Sequence, residues 1–471
     1  MFLSFFLIRL YNLGKHDFWY DEAVAVGFTK IPWYNWNAPL YWMLLHFWIK
    51  NFSISETSLR FFSLLFSFSS VVIVYFLGKE LFNKKTGVIA SVLIGLSPFH
   101  IWYAQEARDY SMVLFLATLS SYAFLKALRT QQAKLWLGYS LISTAGLYTN
   151  YYFIILLTAQ FLFLVLSGRF KGLRYFLIPL AAFFFYLPRF LSKFFYIKDG
   201  FWLLPPTGKS ILITIANFIG GYTSPGYLYI ISAVCSCILF ILFLKSFLKE
   251  KEARFCFAFC FFLFVIPVAM IFMFSRFCFS IYLDRGLIIF SPYFYLILAA
   301  GLSYLRGAVF RSAVFFVFLL LGVLLGCHFN DVISMPFEYH VGAYIKKPIK
   351  PVVGFFKDNF TSGDIIAFTN ESTLPSFQLY SGYIYNCYYF FDPHVLDTNW
   401  KRPYPDDEYH ISLSRIKNLR FKRLWVIASD WPRSGRLDEN SQSVKSWMDR
   451  KFKLEYTALV EGAVISCYVR G

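Results

Sequence analysis

Apolar residues dominate the first two-thirds of the chain in long runs, near 1–13, 59–78, 87–103, 110–128, 134–149, 151–167, 173–190, 226–246, 254–275, 286–304 and 312–328. A helix needs about 20 apolar residues to cross a bilayer, so the pattern predicts about 11 transmembrane helices. The first run, at about 14 residues, is short for a crossing; it predicts a tilted helix in a thin region or a start lying upstream. Segments 20–30 and 38–52 are apolar and rich in Trp and Tyr, which predicts helices lying in the membrane interface, and 208–223 reads the same way. From about 331 the pattern changes to short apolar runs bounded by turn residues. Asp364-Ile365-Ile366-Ala367-Phe368 and Leu424-Trp425-Val426-Ile427-Ala428 predict buried strands, and 351–360 and 441–451 predict helices between them. The expected division is a transmembrane domain over 1–330 and a small α/β domain over 331–471.

Composition fits a chain solvated by lipid. Of 471 residues, 58% are hydrophobic and 15% charged, against about 25% charged in soluble domains. The formal charge of +18 suits anionic lipid or a phosphorylated substrate, and the apolar background excludes nucleic acid. Much of the charge has a topological reading. Alternate short loops carry Lys79, Lys84 and Lys85, then Lys126, Arg129 and Lys134, then Arg169, Lys171 and Arg174, then Lys245, Lys249, Lys251 and Arg254, then Arg306 and Arg311. The positive-inside rule puts those loops in the cytoplasm and the α/β domain outside. No cleavable signal peptide is expected, because the first apolar run leads into an acidic loop. Six of the eight cysteines lie in or beside apolar runs and read as packing residues, while Cys387 and Cys467 in the polar tail are candidates for one disulfide.

Three charged clusters fall on the predicted outer face. The first is His16-Asp17-Phe18-Trp19-Tyr20-Asp21-Glu22, directly after the first span. Carboxylates in an aromatic setting at a membrane interface are costly to keep ionised, and burial would raise Asp21 or Glu22 toward general-base range; a solvated acidic loop is the plainer alternative. The second, Tyr103-Ala104-Gln105-Glu106-Ala107-Arg108-Asp109-Tyr110, reads either as a partner for the first or as helix-end capping. The third is basic: Arg189, Lys193, Lys198 and Lys209 in one loop, Arg276 with Asp284-Arg285 in another. Cations on the outer face call for an anionic partner such as a phosphate, or for lipid headgroups. Thr207-Gly208-Lys209-Ser210 resembles the end of a phosphate-binding loop, but Leu203 stands where that motif has Gly. No metal-ligand spacing is found, and a divalent metal is neither required nor excluded.

The Asp21-Glu22-Ala23 loop, Pro39-Leu40-Tyr41, Ser58-Leu59-Arg60, Gln105-Glu106-Ala107-Arg108-x-Tyr110, the Tyr148-Thr149-Asn150-Tyr151-Tyr152 turn and the Asp284-Arg285 loop together resemble membrane glycosyltransferases of the GT-C fold. Within that class the resemblance is to the protein O-mannosyltransferase and aminoarabinose transferase superfamily, in its bacterial branch, over about 1–330. It implies a polyprenyl-phosphate sugar donor, an acceptor glycolipid, glycan or protein, and a working face outside the cytoplasmic membrane. It also implies Asp21 as catalytic base with Glu22 beside it, and Glu106, Arg108, Asp109 and Tyr110 as polar residues of the site. Arg285 would bind the lipid phosphate, with Arg189 or Lys209. That branch often has Arg-Tyr where this chain has Asp284-Arg285-Gly286. The Trp-Trp-Asp-Tyr-Gly signature of oligosaccharyltransferases is absent. A transporter or flippase of a lipid-linked glycan is the alternative, but it calls for charges near the bilayer midplane, whereas the acidic residues here lie at span ends.

Overall fold

The computed structural model describes residues 1–30, 38–198, 203, 205–247, 251–331, 346, 348–369, 373–390, 410–411, 416, 418–429 and 439–470. Contacts group the chain into two units, Met1–Leu13 with Ile31–Ala343, and Gly14–Lys30 with Tyr344–Gly471. The loop 14–30, which the sequence pattern attaches to the membrane domain, therefore belongs to the unit that holds the α/β domain. In chain order the helices are α1 (Phe2–Leu10), α2 (Tyr20–Phe28), α3 (Leu40–Asn51), α4 (Glu56–Leu81), α5 (Lys84–Leu96), α6 (Pro98–Ala104), α7 (Tyr110–Thr130), α8 (Ala133–Leu147), α9 (Phe153–Leu166), α10 (Leu177–Lys198), α11 (Gly208–Gly220), α12 (Gly226–Phe247), α13 (Lys251–Phe277), α14 (Ser291–Tyr304), α15 (Gly307–Phe329), α16 (Lys350–Asn359), α17 (Leu374–Ser381) and α18 (Glu439–Lys451). Tight 3₁₀ turns, Phe170–Phe176 and Gly286–Phe290, lead into α10 and α14.

The first unit is a bundle of apolar helices. Among the described residues, seven helices are long and apolar enough to cross a membrane, or eight if α5 and α6 count as one bent span. The other expected segments form shorter helices: α1 has 9 residues, α8 has 15 and α9 has 14, and at 1.5 Å per residue even α8 reaches only about 22 Å. The bend of 62° between α5 and α6 follows from Pro98, which disfavours helical backbone at Ser97. Carbonyls freed at the break would be costly in an apolar interior. Buried Arg9 meets them: its Nη1 donates to Gly95 O at 2.7 Å and its Nη2 to Ile94 O at 3.2 Å. Ser97 caps α6 by accepting from the His100 N–H and donates to Phe218 O at 2.8 Å, tying the break to α11. These bonds give a buried arginine in the first helix a structural use.

In the second unit, strands β1 (Ile365–Phe368), β2 (Cys387–Phe390), β3 (His410–Ile411), β4 (Leu424–Ser429), β5 (Lys453–Val460) and β6 (Ala463–Val469) form one sheet in the order β3-β2-β1-β4-β6-β5. The first four are parallel; β5 and β6 make an antiparallel hairpin whose turn residues Glu461 and Gly462 both have positive φ. Helices α16 and α17 supply the core on one face, with Val352, Phe356, Leu374 and Phe377. On the other face, α18 supplies Val444 and Met448. Cys387, Ile366, Trp425 and Cys467 stand in one row across four neighbouring strands. The disulfide expected between Cys387 and Cys467 is therefore not formed: both thiols are free, because two strands intervene. Three strand spacings of about 4.8 Å far exceed the reach of a disulfide. Burial pushes each thiol up to about 12, so both behave as core residues.

Candidate functional site

The acidic loop 14–30 separates its carboxylates by role. Asp17 Oδ2 accepts from the N–H groups of Ile349 and Lys350, at 2.7 and 2.8 Å, at the start of α16. Its other oxygen lies 3.4 Å from Lys350 Nζ. A helix N-terminus presents unpaired N–H groups and a partial positive charge, and Asp17 serves both. Next in the chain, Phe18 donates its N–H to the Tyr380 hydroxyl at 2.6 Å, and its ring stacks on the Tyr380 ring at 6.0 Å. Helix α2 then begins, with Asp21 and Glu22 in its first turn. Glu22 is fully buried, and its Oε2 accepts from the Trp19 N–H at 3.4 Å, the reciprocal arm of a capping box. Asp21 is half-buried. Of the pair, Glu22 is engaged in capping, and Asp21 is the more exposed.

In the first unit, the loops that precede α7, α9 and α14 carry the next group of candidates. Glu106 and Asp109 are buried beside the start of α7. Asp109 Oδ2 accepts from Asn150 Nδ2 at 2.8 Å, and Asn150 Oδ1 in turn accepts from the Tyr152 N–H. Tyr148 in the same turn accepts, through its carbonyl, from the Leu40 N–H at 2.7 Å. The Tyr152 hydroxyl donates to Ile281 O. A Cβ on Gly286 would run into the Tyr152 ring; glycine follows Arg285 because that ring occupies the space. The tyrosine-rich turn thus holds the start of α3, Asp109 and the 281–286 loop together.

Asp284 and Arg285 are both buried. Asp284 Oδ2 accepts from Asn217 Nδ2 at 2.8 Å and from the Tyr222 hydroxyl at 2.9 Å, while Oδ1 accepts from the Arg285 N–H at 2.7 Å. The Tyr222 hydroxyl lies 2.6 Å from that of Tyr103. Burial pushes the Asp284 carboxyl above the usual range, opposed by these hydrogen bonds and by the Arg285 charge. The Arg285 guanidinium stands 5.9 Å from the centre of the Tyr110 ring, and that of Arg108 stands 5.6 Å from the same ring. Two cations from separate loops therefore meet at one aromatic side chain. Tyr222 and Asn217 escaped the sequence reading; the signal was Asn217, a lone amide in the apolar run Ile213-Thr214-Ile215-Ala216-Asn217-Phe218.

The other basic candidates are dispersed. Exposed Arg189 sits over the Tyr186 ring at 6.0 Å, and Lys193 over Tyr151 at 5.6 Å. Lys209 is exposed on the first turn of α11. The Thr207-Gly208-Lys209-Ser210 motif is a helix start, with Ser210 Oγ accepting from the Thr207 N–H at 3.0 Å. The Lys198 side chain lies outside the described residues. Among the described residues no group of three His, Cys, Asp or Glu is placed to hold a metal ion.

Residues 37–192 match the family described as dolichyl-phosphate-mannose-protein mannosyltransferase. A stretch of 175 residues is 28% identical to the dolichyl-diphosphooligosaccharide–protein glycosyltransferase subunit STT3B of Arabidopsis thaliana, covering 35% of this chain and 23% of the plant subunit's length. The fold is similar along nearly the whole chain to ArnT from Cupriavidus metallidurans. The apo structure gives a TM-score of 0.65 at 10% identity, over 99% of this chain and 97% of that one. The structure bound to undecaprenyl phosphate gives 0.63 over the same shares. By its apolar helices the chain is a multi-pass membrane protein; its fold is similar to that of ArnT, and its similarity to the mannosyltransferase family covers residues 37–192.

Proposed function

We propose that the protein moves a sugar from a polyprenyl-phosphate donor to a glycolipid, glycan or protein acceptor on the outer face of the cytoplasmic membrane. The observation that carries this reading is the convergence of buried Arg285 and half-buried Arg108 on Tyr110. Two guanidinium groups held by loops at the ends of apolar helices suit a lipid phosphate, whose charge needs fixed donors and whose tail needs lipid. The fold relative from Cupriavidus metallidurans binds undecaprenyl phosphate, which supports the same class of lipid here.

In the proposed reaction Asp21 takes the proton of the acceptor hydroxyl, and the oxygen attacks the anomeric carbon with inversion. The bond from that carbon to the phosphate oxygen breaks, and the electron pair leaves on the polyprenyl phosphate. Arg285 and Arg108 stabilise the charge that develops there. Glu106, Asp109 and Tyr110 shape the donor side, and Arg189 and Lys209 draw the anionic headgroup toward it.

The test uses the purified full chain in lipid nanodiscs with a synthetic polyprenyl-phosphate sugar and extracted envelope glycolipids. The expected result is release of polyprenyl phosphate with a mass gain of one sugar on an acceptor. Donor crossing sealed vesicles without any such transfer would overturn the reading in favour of a flippase.

A further inference from the structure

We infer that the α/β unit positions the candidate base, with Asp17 and Tyr380 as positioning residues for Asp21. This rests on the function proposed above and assigns a role to a domain that the chemistry itself does not require. The chain from Asp17 to Glu22 is held at successive positions by the second unit's own elements. At the first position, the Asp17 carboxylate takes two N–H donors at the head of α16 and faces the Lys350 ammonium. At the second, Phe18 gives its N–H to the Tyr380 hydroxyl and lays its ring on the Tyr380 ring. At the third, the Trp19 N–H goes to Glu22, which closes the first turn of α2. Lys30 ends the segment over the Tyr383 ring, 4.6 Å from its centre.

These contacts fix the backbone on both sides of Asp21. Asp21 stands only three positions after Phe18, so rotation of the Phe18 amide re-aims the first turn of α2 and the carboxylate it carries. Tyr380 lies in α17 and Ile349 at the start of α16. These two helices are buried on one face of the sheet, so the anchors are backed by a rigid core. Displacing a catalytic group by about 1 Å is enough to cost about a hundredfold in rate. A strap of this kind sets the aim of the base from within the second unit itself.

The test compares Tyr380→Phe, which removes one hydroxyl and keeps the ring, with Asp17→Asn, which keeps an acceptor oxygen and removes the charge. Both are made in the full chain and assayed in nanodiscs with a synthetic polyprenyl-phosphate sugar. Turnover should fall roughly ten- to hundredfold, donor affinity should hold within about twofold, and amide exchange should quicken over 18–28. In an Asp21→Asn background Tyr380→Phe should cost nothing further, since it acts through that carboxylate. The inference is overturned if Tyr380→Phe slows Asp21→Asn as much as it slows the wild type, or if exchange over 18–28 quickens while turnover is unchanged. A wild-type protein that releases no polyprenyl phosphate counts against the donor reading instead, and unchanged exchange over 18–28 in Tyr380→Phe then rules out the strap by itself.

Discussion

Asp17 and Asp284 do the same kind of work in the two units by different means. Each is followed closely by a residue with a proposed chemical role: Asp21 four positions after Asp17, and Arg285 directly after Asp284. Asp17 binds main-chain N–H groups at a helix start, with a lysine alongside. Asp284 is enclosed by side-chain donors from Asn217 and Tyr222 and turns back onto the Arg285 N–H. A clustered charge in the sequence therefore includes scaffold groups, marked by the main-chain N–H donors they hold. By that criterion Glu22, which caps α2, belongs with Asp17.

The most severe way to break this division is Asp21→Asn. It removes the basic lone pair and keeps size, and general-base catalysis supplies about 10²–10⁴-fold; turnover should fall by that much with donor binding intact. Glu22→Gln keeps an oxygen for the Trp19 N–H and should lose far less turnover. A dead Glu22→Gln beside an active Asp21→Asn would reverse the assignment.

Arg285→Ala comes next. A charge-assisted contact to phosphate contributes about 1.5–3 kcal/mol, so donor affinity should drop roughly ten- to hundredfold while acceptor affinity holds. Equilibrium binding of a labelled polyprenyl phosphate measures it. An unchanged affinity would shift the phosphate to Arg108, Arg189 or Lys209.

How far the sequence reached depends on what each pattern encodes. Apolar runs located the helices, since burial in lipid needs only length and composition. Strands β1 and β4 and helices α16 and α18 were legible because their apolar runs end at turn residues. The hairpin β5–β6 was not, since β5 is exposed along most of its length and lacks an apolar signature. Residues Asp21, Glu106, Arg108 and Arg285 were picked out by charge at span ends. The partners that sort them, Tyr380, Asn150 and Tyr222, are distant in sequence, and no local pattern links residue 18 to 380. The attachment of 14–30 to the α/β unit was hidden for the same reason.

A third carboxylate extends the comparison to stability. Asp364 is buried, and burial alone would raise its pKa. Hydrogen bonds from Arg423, the Thr361 N–H and the Trp425 indole outweigh that and hold it below the usual range. A depressed folded pKa contributes stability that is present above the unfolded value, near 4, and is lost as pH falls through the folded value. The α/β unit should therefore loosen on acidification below about pH 4. Asp364→Asn should cost about 1.5–3 kcal/mol at neutral pH and remove that part of the acid sensitivity. Thermal unfolding followed between pH 3 and pH 7 tests both, and an acid profile identical to wild type would show that Asp364 does not set it.

The smallest expected effect probes the support of Arg285. Tyr222→Phe keeps the ring against Phe99 and Trp102 and deletes the hydroxyl that donates to Asp284. One net hydrogen bond is worth about 0.5–1.5 kcal/mol, so donor affinity should weaken roughly two- to tenfold. The sign of its pH dependence is fixed by the same contact. That hydrogen bond favours the charged carboxylate, so losing it raises the Asp284 pKa further. The variant should lose donor affinity at a higher pH than the wild type as the solution is acidified, because protonated Asp284 holds the Arg285 N–H and its loop less firmly. If Asp284 acts only through Arg285, Tyr222→Phe adds nothing to Arg285→Ala. A loss that is the same at every pH and fully additive with Arg285→Ala would mean that Tyr222 fills space in the bundle and that the Asp284 network does not reach the phosphate.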